Sequence, residues 1–178
     1  MPEKDHAVEG DQVLTRSPDL VLVMNTPKGR GVFATRDIPS RTVIEVSPVL
    51  VFTEDEVENH TQHTVLQHYT YYWPSPSGRS MTQALALGLG SMFNHSIRQQ
   101  NVGWQRNTET DVIVYTALRD IKQGEELCIS YGSARLWFPD ADGDAGGDGA
   151  GADDDWNNDT GGETLAELEL SGLGRLDL

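Results

Sequence analysis

Three short segments of this 178-residue chain carry side chains and backbone able to do chemistry. One is Gly124-Glu125-Glu126-Leu127-Cys128-Ile129-Ser130-Tyr131-Gly132. It ends in a phenol, a group with a pKa of about 10 that stays neutral at physiological pH and both donates and accepts hydrogen bonds. A second, Met92-Phe93-Asn94-His95-Ser96, sets an amide beside an imidazole. The third, Lys28-Gly29-Arg30-Gly31-Val32-Phe33-Ala34, places glycines where backbone and a ligand could approach closely, flanked by two cations. Each segment alone has an ordinary explanation: a turn between strands, a buried polar pair satisfying backbone groups, and a tyrosine at a strand end.

The elements that must position these groups are mostly short strands. Residues 20–24, 31–34, 42–46 and 48–52 are β-branched runs. Pro27-Lys28-Gly29 and Pro39-Ser40 separate them, a pattern that predicts an antiparallel meander. Residues 112–117 and 127–131 predict two further strands around a turn at Gln123-Gly124. Thr53 and Glu56 form a capping box, which predicts a surface helix over about 54–68. The Ala- and Leu-rich residues 82–92 predict another helix, weakened by Gly88 and Gly90. His68-Tyr69-Thr70-Tyr71-Tyr72-Trp73-Pro74 holds five aromatic rings in seven residues. In a strand, Tyr69, Tyr71 and Trp73 share one face. Trp73 suits a core position, and one of the tyrosines suits a groove wall.

Composition bounds the rest. Residues 1–138 hold 16 acidic and 12 basic side chains, whereas residues 139–178 hold 12 acidic and one basic. That predicts a mildly acidic domain followed by a charged, Gly- and Asp-rich tail that is largely disordered over about 140–162. A weak capping box at Thr164 and Glu167 offers at most a terminal helix. Residues 1–18 read as a flexible arm and 19–138 as the domain. No basic face for nucleic acid is apparent, and no apolar run approaches the roughly 18 residues of a membrane span. The acidic first residues do not read as a signal peptide. One cysteine, Cys128, excludes an internal disulfide and a cysteine-rich zinc site, and points to the nucleus or cytoplasm. The histidines show no ligand spacing, so no metal is expected.

Taken in chain order, with Lys28 to Ala34 first, Met92 to Ser96 second and Gly124 to Gly132 third, the three segments together resemble the SET-domain family. The first resembles its Gly-x-Gly turn, with the run ATRDIPSRTVI of residues 34–44 following. The second resembles its Asn-His-Ser motif, and the third its Gly-Glu-Glu-Leu-x-x-x-Tyr-Gly motif, preceded by Leu118-Arg119-Asp120-Ile121. The resemblance covers roughly residues 18–138 and is greatest to compact members. The cysteine clusters that bind zinc beside some SET domains are absent, and Ile97 stands where many members have cysteine.

The resemblance implies a fold that is mainly β with short helices, the β-clip of SET domains, whose C-terminal pseudoknot brings Asn94-His95 beside Tyr131. It implies an S-adenosylmethionine-dependent protein-lysine N-methyltransferase acting on a basic protein such as a histone tail or nucleosome, without a metal. Tyr131 is then the catalytic phenol that orients the lysine amine. Gly29 and Gly31 meet the methionine end of the cofactor, with Lys28 and Arg30 beside it. Asn94 pairs with the cofactor's amino group, His95 offers backbone groups to adenine, and Trp137 or Phe138 closes over the ring. Tyr69, Tyr71 and Tyr115 are candidates for the substrate channel. Ile129 lies two residues before Tyr131, where the family often lines the channel end. It cannot hold a water by a side-chain hydrogen bond, so multiple methylation is expected. Ordinary packing is the competing explanation for Trp137, Phe138 and Ile129. Two other functions fit the same motifs: methylation of a non-histone protein, or a catalytically inactive SET fold that binds proteins. A chaperone for basic proteins would explain the acidic tail and leave the motifs unexplained.

Overall fold

The structure, a computed structural model, describes residues 14–77 and 80–131. The expected acidic tail, Trp137 and Phe138 lie outside the described residues, as do the first 13 residues of the expected arm.

Strands β1 (Leu20–Thr26) and β2 (Gly29–Ala34) form an antiparallel hairpin. Gly29 turns it with a φ of 89°, a left-handed conformation that favours glycine. The two runs expected at 42–46 and 48–52 are one strand, β3 (Val43–Val51). It pairs through Val43–Pro48 with β8 (Val112–Ala117) and through Val49–Val51 with β5 (Met81–Ala86). Pro48, which has no N–H to give, sits where β3 changes partner. Strands β4 (Thr70–Pro74) and β7 (Val102–Asn107) complete a five-stranded sheet in the order β4-β5-β3-β8-β7. The chain is therefore not a simple meander beyond its first hairpin, since β3 sits between strands far away in sequence.

Two expected helices differ. The first begins where its capping box predicts, with Thr53 and Glu56 bonded reciprocally, but α1 spans only Glu54–Asn59. It buries no residue, so no packing extends it. β-Branched Thr61, Thr64 and Val65 then favour two 3-10 turns, Thr61–His63 and Val65–Tyr69, with Thr64 capping the second. The second expected helix is strand β5 and a turn. Thr82, Ala84 and Ala86 are buried in alternation with half-buried Gln83 and Leu85, and strands pair on both sides. Period-two burial outweighs the helix propensity of Ala and Leu. Gly88, at φ 76°, ends the element.

Residues 14–17, within the expected arm, lie along β3. Val46 N–H donates to Thr15 O, Ser17 N–H donates to Ile44 O, and Arg16 ion-pairs with buried Glu45 at 2.8 Å. The core gathers Val32, Ile44, Trp73, Phe93, Tyr115, Ile121, Leu127 and Ile129. It lies between the hairpin, the large sheet and a small parallel pair, β6 (Asn94–His95) with β9 (Cys128–Ile129).

Candidate active site

The β6–β9 pair brings two of the three motifs together. Asn94 aligns with Cys128 and His95 with Ile129 in parallel register. Asn101 fixes this pairing from below: its amide donates to Glu126 O and its carbonyl accepts from Cys128 N–H. The remaining motif, the glycine-containing segment in β2, arrives through backbone bonds, Leu127 N–H to Val32 O and Ala34 N–H to Glu125 O.

Tyr131 stands at the end of this arrangement. Its hydroxyl donates to Phe93 O at 2.6 Å, and its backbone N–H donates to His95 Nδ1 at 3.0 Å. The acceptor role of Nδ1 leaves the neutral imidazole's proton on Nε2. The His95 and Tyr131 rings lie 5.3 Å apart. Tyr131 is 41% exposed as a whole. Desolvation, with Cys128 and the tyrosine and carboxylate neighbours adding to it, pushes its phenol up to about 12. It is therefore protonated at any physiological pH.

Around Asn94 a polar cradle forms. Nδ2 donates both to Arg30 O at 2.8 Å and to Glu126 Oε1 at 2.7 Å. A Cβ on Gly31 would lie 2.5 Å from Glu126 Oε1 and 3.1 Å from Asn94 Nδ2, so a side chain there would force the Glu126 carboxylate to shift. Gly29 has open space beside it. Lys28 Nζ donates to His95 O at 3.2 Å. Arg30 turns its guanidinium to Tyr69, bonding the hydroxyl at 3.1 Å.

On the other side, a cleft of about 170 Å³ is lined by Tyr69, Tyr71, Ser91, Phe93, Trp104 and Tyr131, among others. Tyr71 packs edge-on against Trp104 at 5.2 Å, and Trp104 Nε1–H donates to Ser130 O. Tyr71 and Tyr115 hydroxyls both donate to Gly90 O, at 2.6 and 3.2 Å. Burial pushes both phenols well above the ordinary tyrosine range.

The structure thus gathers Lys28, Gly29, Arg30, Gly31, Asn94, His95 and Tyr131 at one place, with Tyr69 and Tyr71 on the cleft wall. Tyr115 and Ile129 do not line that cleft. Both are fully buried in the core, and Ile129 faces inward from β9. Trp73 is a core residue, with Nε1–H donating to Asp111. Glu126 and Trp104 were missed by sequence reasoning. Glu126 sat inside a recognised motif, but Trp104 had no local signal, because β7 was not anticipated.

Residues 29–132 match the SET domain. The chain belongs to the SET-domain family. Its first-motif glycine turn, the Asn-His pair and Tyr131 are the SET elements now seen meeting. Over 113 residues the chain is 55% identical to the histone-lysine N-methyltransferase, H3 lysine-37 specific, of Schizosaccharomyces pombe. That match covers 64% of this chain and 72% of the relative. Among solved structures, CpSET8 of Cryptosporidium superposes with a TM-score of 0.51 at 22% identity, covering 64% of this chain and 57% of that one. A Plasmodium falciparum chain reaches a TM-score of 0.49 at 23% identity, over 68% and 97% of the two chains. SET-domain proteins of this kind are protein-lysine methyltransferases, and the chain is such an enzyme.

SET methyltransferases use S-adenosylmethionine, and the cradle suits its amino-acid end. Gly29 and Gly31 keep one edge clear of side chains, the Asn94 amide, whose Nδ2 is held by Glu126, has an acceptor oxygen for an ammonium group, and Lys28 is a cation at the rim. Among the described residues, no group of three or more His, Cys, Asp and Glu could hold a metal ion, and no helix is long and apolar enough to cross a membrane.

Proposed function

We propose that this chain methylates a lysine of histone H3, the position matching lysine-37 for which the fission-yeast relative is named. The observation that carries the site reading is the position of Tyr131. Its hydroxyl bonds to the carbonyl of Phe93, the residue next to Asn94, so the cleft and the polar cradle meet at that point.

When bound, S-adenosylmethionine supplies an electrophilic methyl group on a sulfonium. Asn94, Lys28, the Arg30 carbonyl and the backbone at Gly29 and Gly31 would hold its amino-acid end. His95 acts through its ring on Tyr131 and through its carbonyl on Lys28. The rings of Tyr69, Tyr71, Phe93 and Trp104 wall the cleft for the lysine stem. A free lysine has a pKa of about 10.4. An aromatic, poorly hydrated wall favours its neutral form, which is the nucleophile. The neutral Tyr131 hydroxyl orients that amine, and such alignment is worth several kcal/mol of barrier, about 7–11 in favourable cases. The amine proton released after transfer leaves to solvent. The displacement calls for no metal.

The test is incubation of the full chain with labelled cofactor and either histone H3 or nucleosomes, read by mass spectrometry. Label on H3 is expected, and it should vanish when arginine replaces lysine-37 of the histone. Label on another H3 lysine would move the site. Label only on non-histone proteins of a cell extract would overturn the substrate reading.

A further inference from the structure

The cradle around Asn94 raises a question of amide orientation. An asparagine amide has one donor end and one acceptor end of nearly equal shape. Here the neighbours decide between them. The carbonyl of Arg30 lies 2.8 Å from the inner atom and the carboxylate of Glu126 lies 2.7 Å from it. Both neighbours only accept, so the inner atom must be the donor, Nδ2. Turning the amide over would set three oxygens against one another, with no proton between them. Oδ1 is then the atom left for a ligand, and it accepts.

That matters because an ammonium group only donates. A cofactor amino group meeting Asn94 finds an acceptor when the amide is held this way and a repelling donor when it is not. Resting on the cofactor reading above, we propose that Glu126 is the positioning residue for this recognition: its carboxylate locks the Asn94 amide so that Oδ1 accepts from the cofactor's ammonium group. Gly31 belongs to the same device. A side chain there would strike Glu126 Oε1 at 2.5 Å and displace the lock. The glycine of the first motif thus leaves the glutamate of the third in place to hold Asn94. The Glu126 backbone is independently held, by Asn101 Nδ2 at 2.8 Å and by an antiparallel bridge to Phe33, so the carboxylate starts from a fixed point.

Two substitutions separate reach from charge. Glu126→Gln keeps the length and an acceptor oxygen for Nδ2 but removes the charge. Glu126→Asp keeps the charge but is one methylene too short. Calorimetric titration of the full chain with S-adenosylmethionine should find Glu126→Gln within about threefold of the parent and Glu126→Asp about tenfold weaker or more. Glu126→Ala should resemble Glu126→Asp, and if it does not fold the first two still decide. The side-chain amide signals of Asn94 in ligand-free protein, identified by their loss in Asn94→Ala, give a second readout. They should show two hydrogen-bonded protons in the parent and in Glu126→Gln, and in Glu126→Asp lose the one that meets Glu126 while keeping the one on Arg30 O. The reverse order of affinities, Asp tight and Gln weak, would mean that Glu126 meets the ammonium by charge and would overturn the proposal. So would an unchanged amide signal in Glu126→Asp. A parent that binds no cofactor would sink the function reading instead, while the amide signals would still report whether Glu126 sets the orientation.

Discussion

Arg16 reaches Glu45 through a 2.8 Å ion pair, although Glu45 is almost wholly buried and 29 residues away. The same carboxylate accepts from Leu89 N–H with both oxygens, at 3.0 and 3.2 Å. The next residue, Gly90, offers the carbonyl that takes both the Tyr71 and Tyr115 hydroxyls. The N-terminal residues are thereby connected to the wall of the cleft.

Arg16→Ala should leave a buried carboxylate with backbone partners only. Removing one side of a buried pair is costly, and the exposure of Arg16 reduces the loss. About 1–3 kcal/mol is expected. Urea unfolding of the parent, Arg16→Ala, Glu45→Gln and the double variant checks it. The double variant should recover part of the loss, and an unshifted midpoint in Arg16→Ala would show that the pair contributes nothing.

Tyr131→Phe removes the hydroxyl that bonds Phe93 O at the cleft, the group proposed to orient the amine, while keeping the ring beside His95. The turnover rate should fall by about 10²-fold or more, with cofactor affinity within about threefold. Asn94→Ala should do the opposite first, weakening cofactor binding. Steady-state rates and calorimetry on the same preparations separate the two. Full activity of Tyr131→Phe on histone H3 would remove the assigned role.

Three of the five tyrosines, Tyr71, Tyr115 and Tyr131, are pushed up by burial, Tyr131 to about 12. Between pH 10 and about 12 the folded chain keeps protons on these groups that the unfolded chain releases, so stability falls as pH rises through that window. Below pH 10 their contribution is fully present. Tyrosinate absorbance should therefore stay incomplete at pH 10.5 and finish only as circular dichroism reports unfolding. Complete ionisation of all five tyrosines in still-folded protein would contradict the described environments.

Ile129 has no exposed surface and packs in the core, which changes what its substitution tests. Ile129→Tyr should overpack the interior and destabilise by about 1–3 kcal/mol, without acting as a direct probe of the cleft. Thermal unfolding measures the first, and mass spectrometry of methylated peptide the second. A variant as stable as the parent that yields a different mixture of methylation states would return Ile129 to the channel.

Much of the site was legible in the order of short motifs. Gly31, Asn94 and Tyr131 stand in patterns that resemble one family, and the structure brings their segments together. The strands at 20–24 and 112–117 were legible too, the first because Pro18 and Pro27 flank it and the second because it is a run rich in β-branched residues after the polar stretch 107–111. Residues 81–86 were not. Ala84, Leu85 and Ala86 favour a helix locally, and only the flanking strands β3 and β4 make the extended form cheaper. Residues 102–107 failed for a related reason, since Gly103, Gln105 and Asn107 blur the pattern that pairing with β8 enforces.

By itself, the sequence determined the chemical inventory: a neutral phenol, an amide beside an imidazole, glycines between cations, and a concentration of acidic residues beyond residue 138. These follow from residue type, which needs no partner. The tertiary structure alone decided what each group faces. It turned Arg30 toward Tyr69 and gave the Asn94 amide to Glu126. It sank Tyr115 and Ile129 into the core and tied Arg16 to Glu45. Hydrogen bonds and burial act over a few ångströms in space, and contacts between residues 29 to 64 positions apart leave no mark in any local window of the chain.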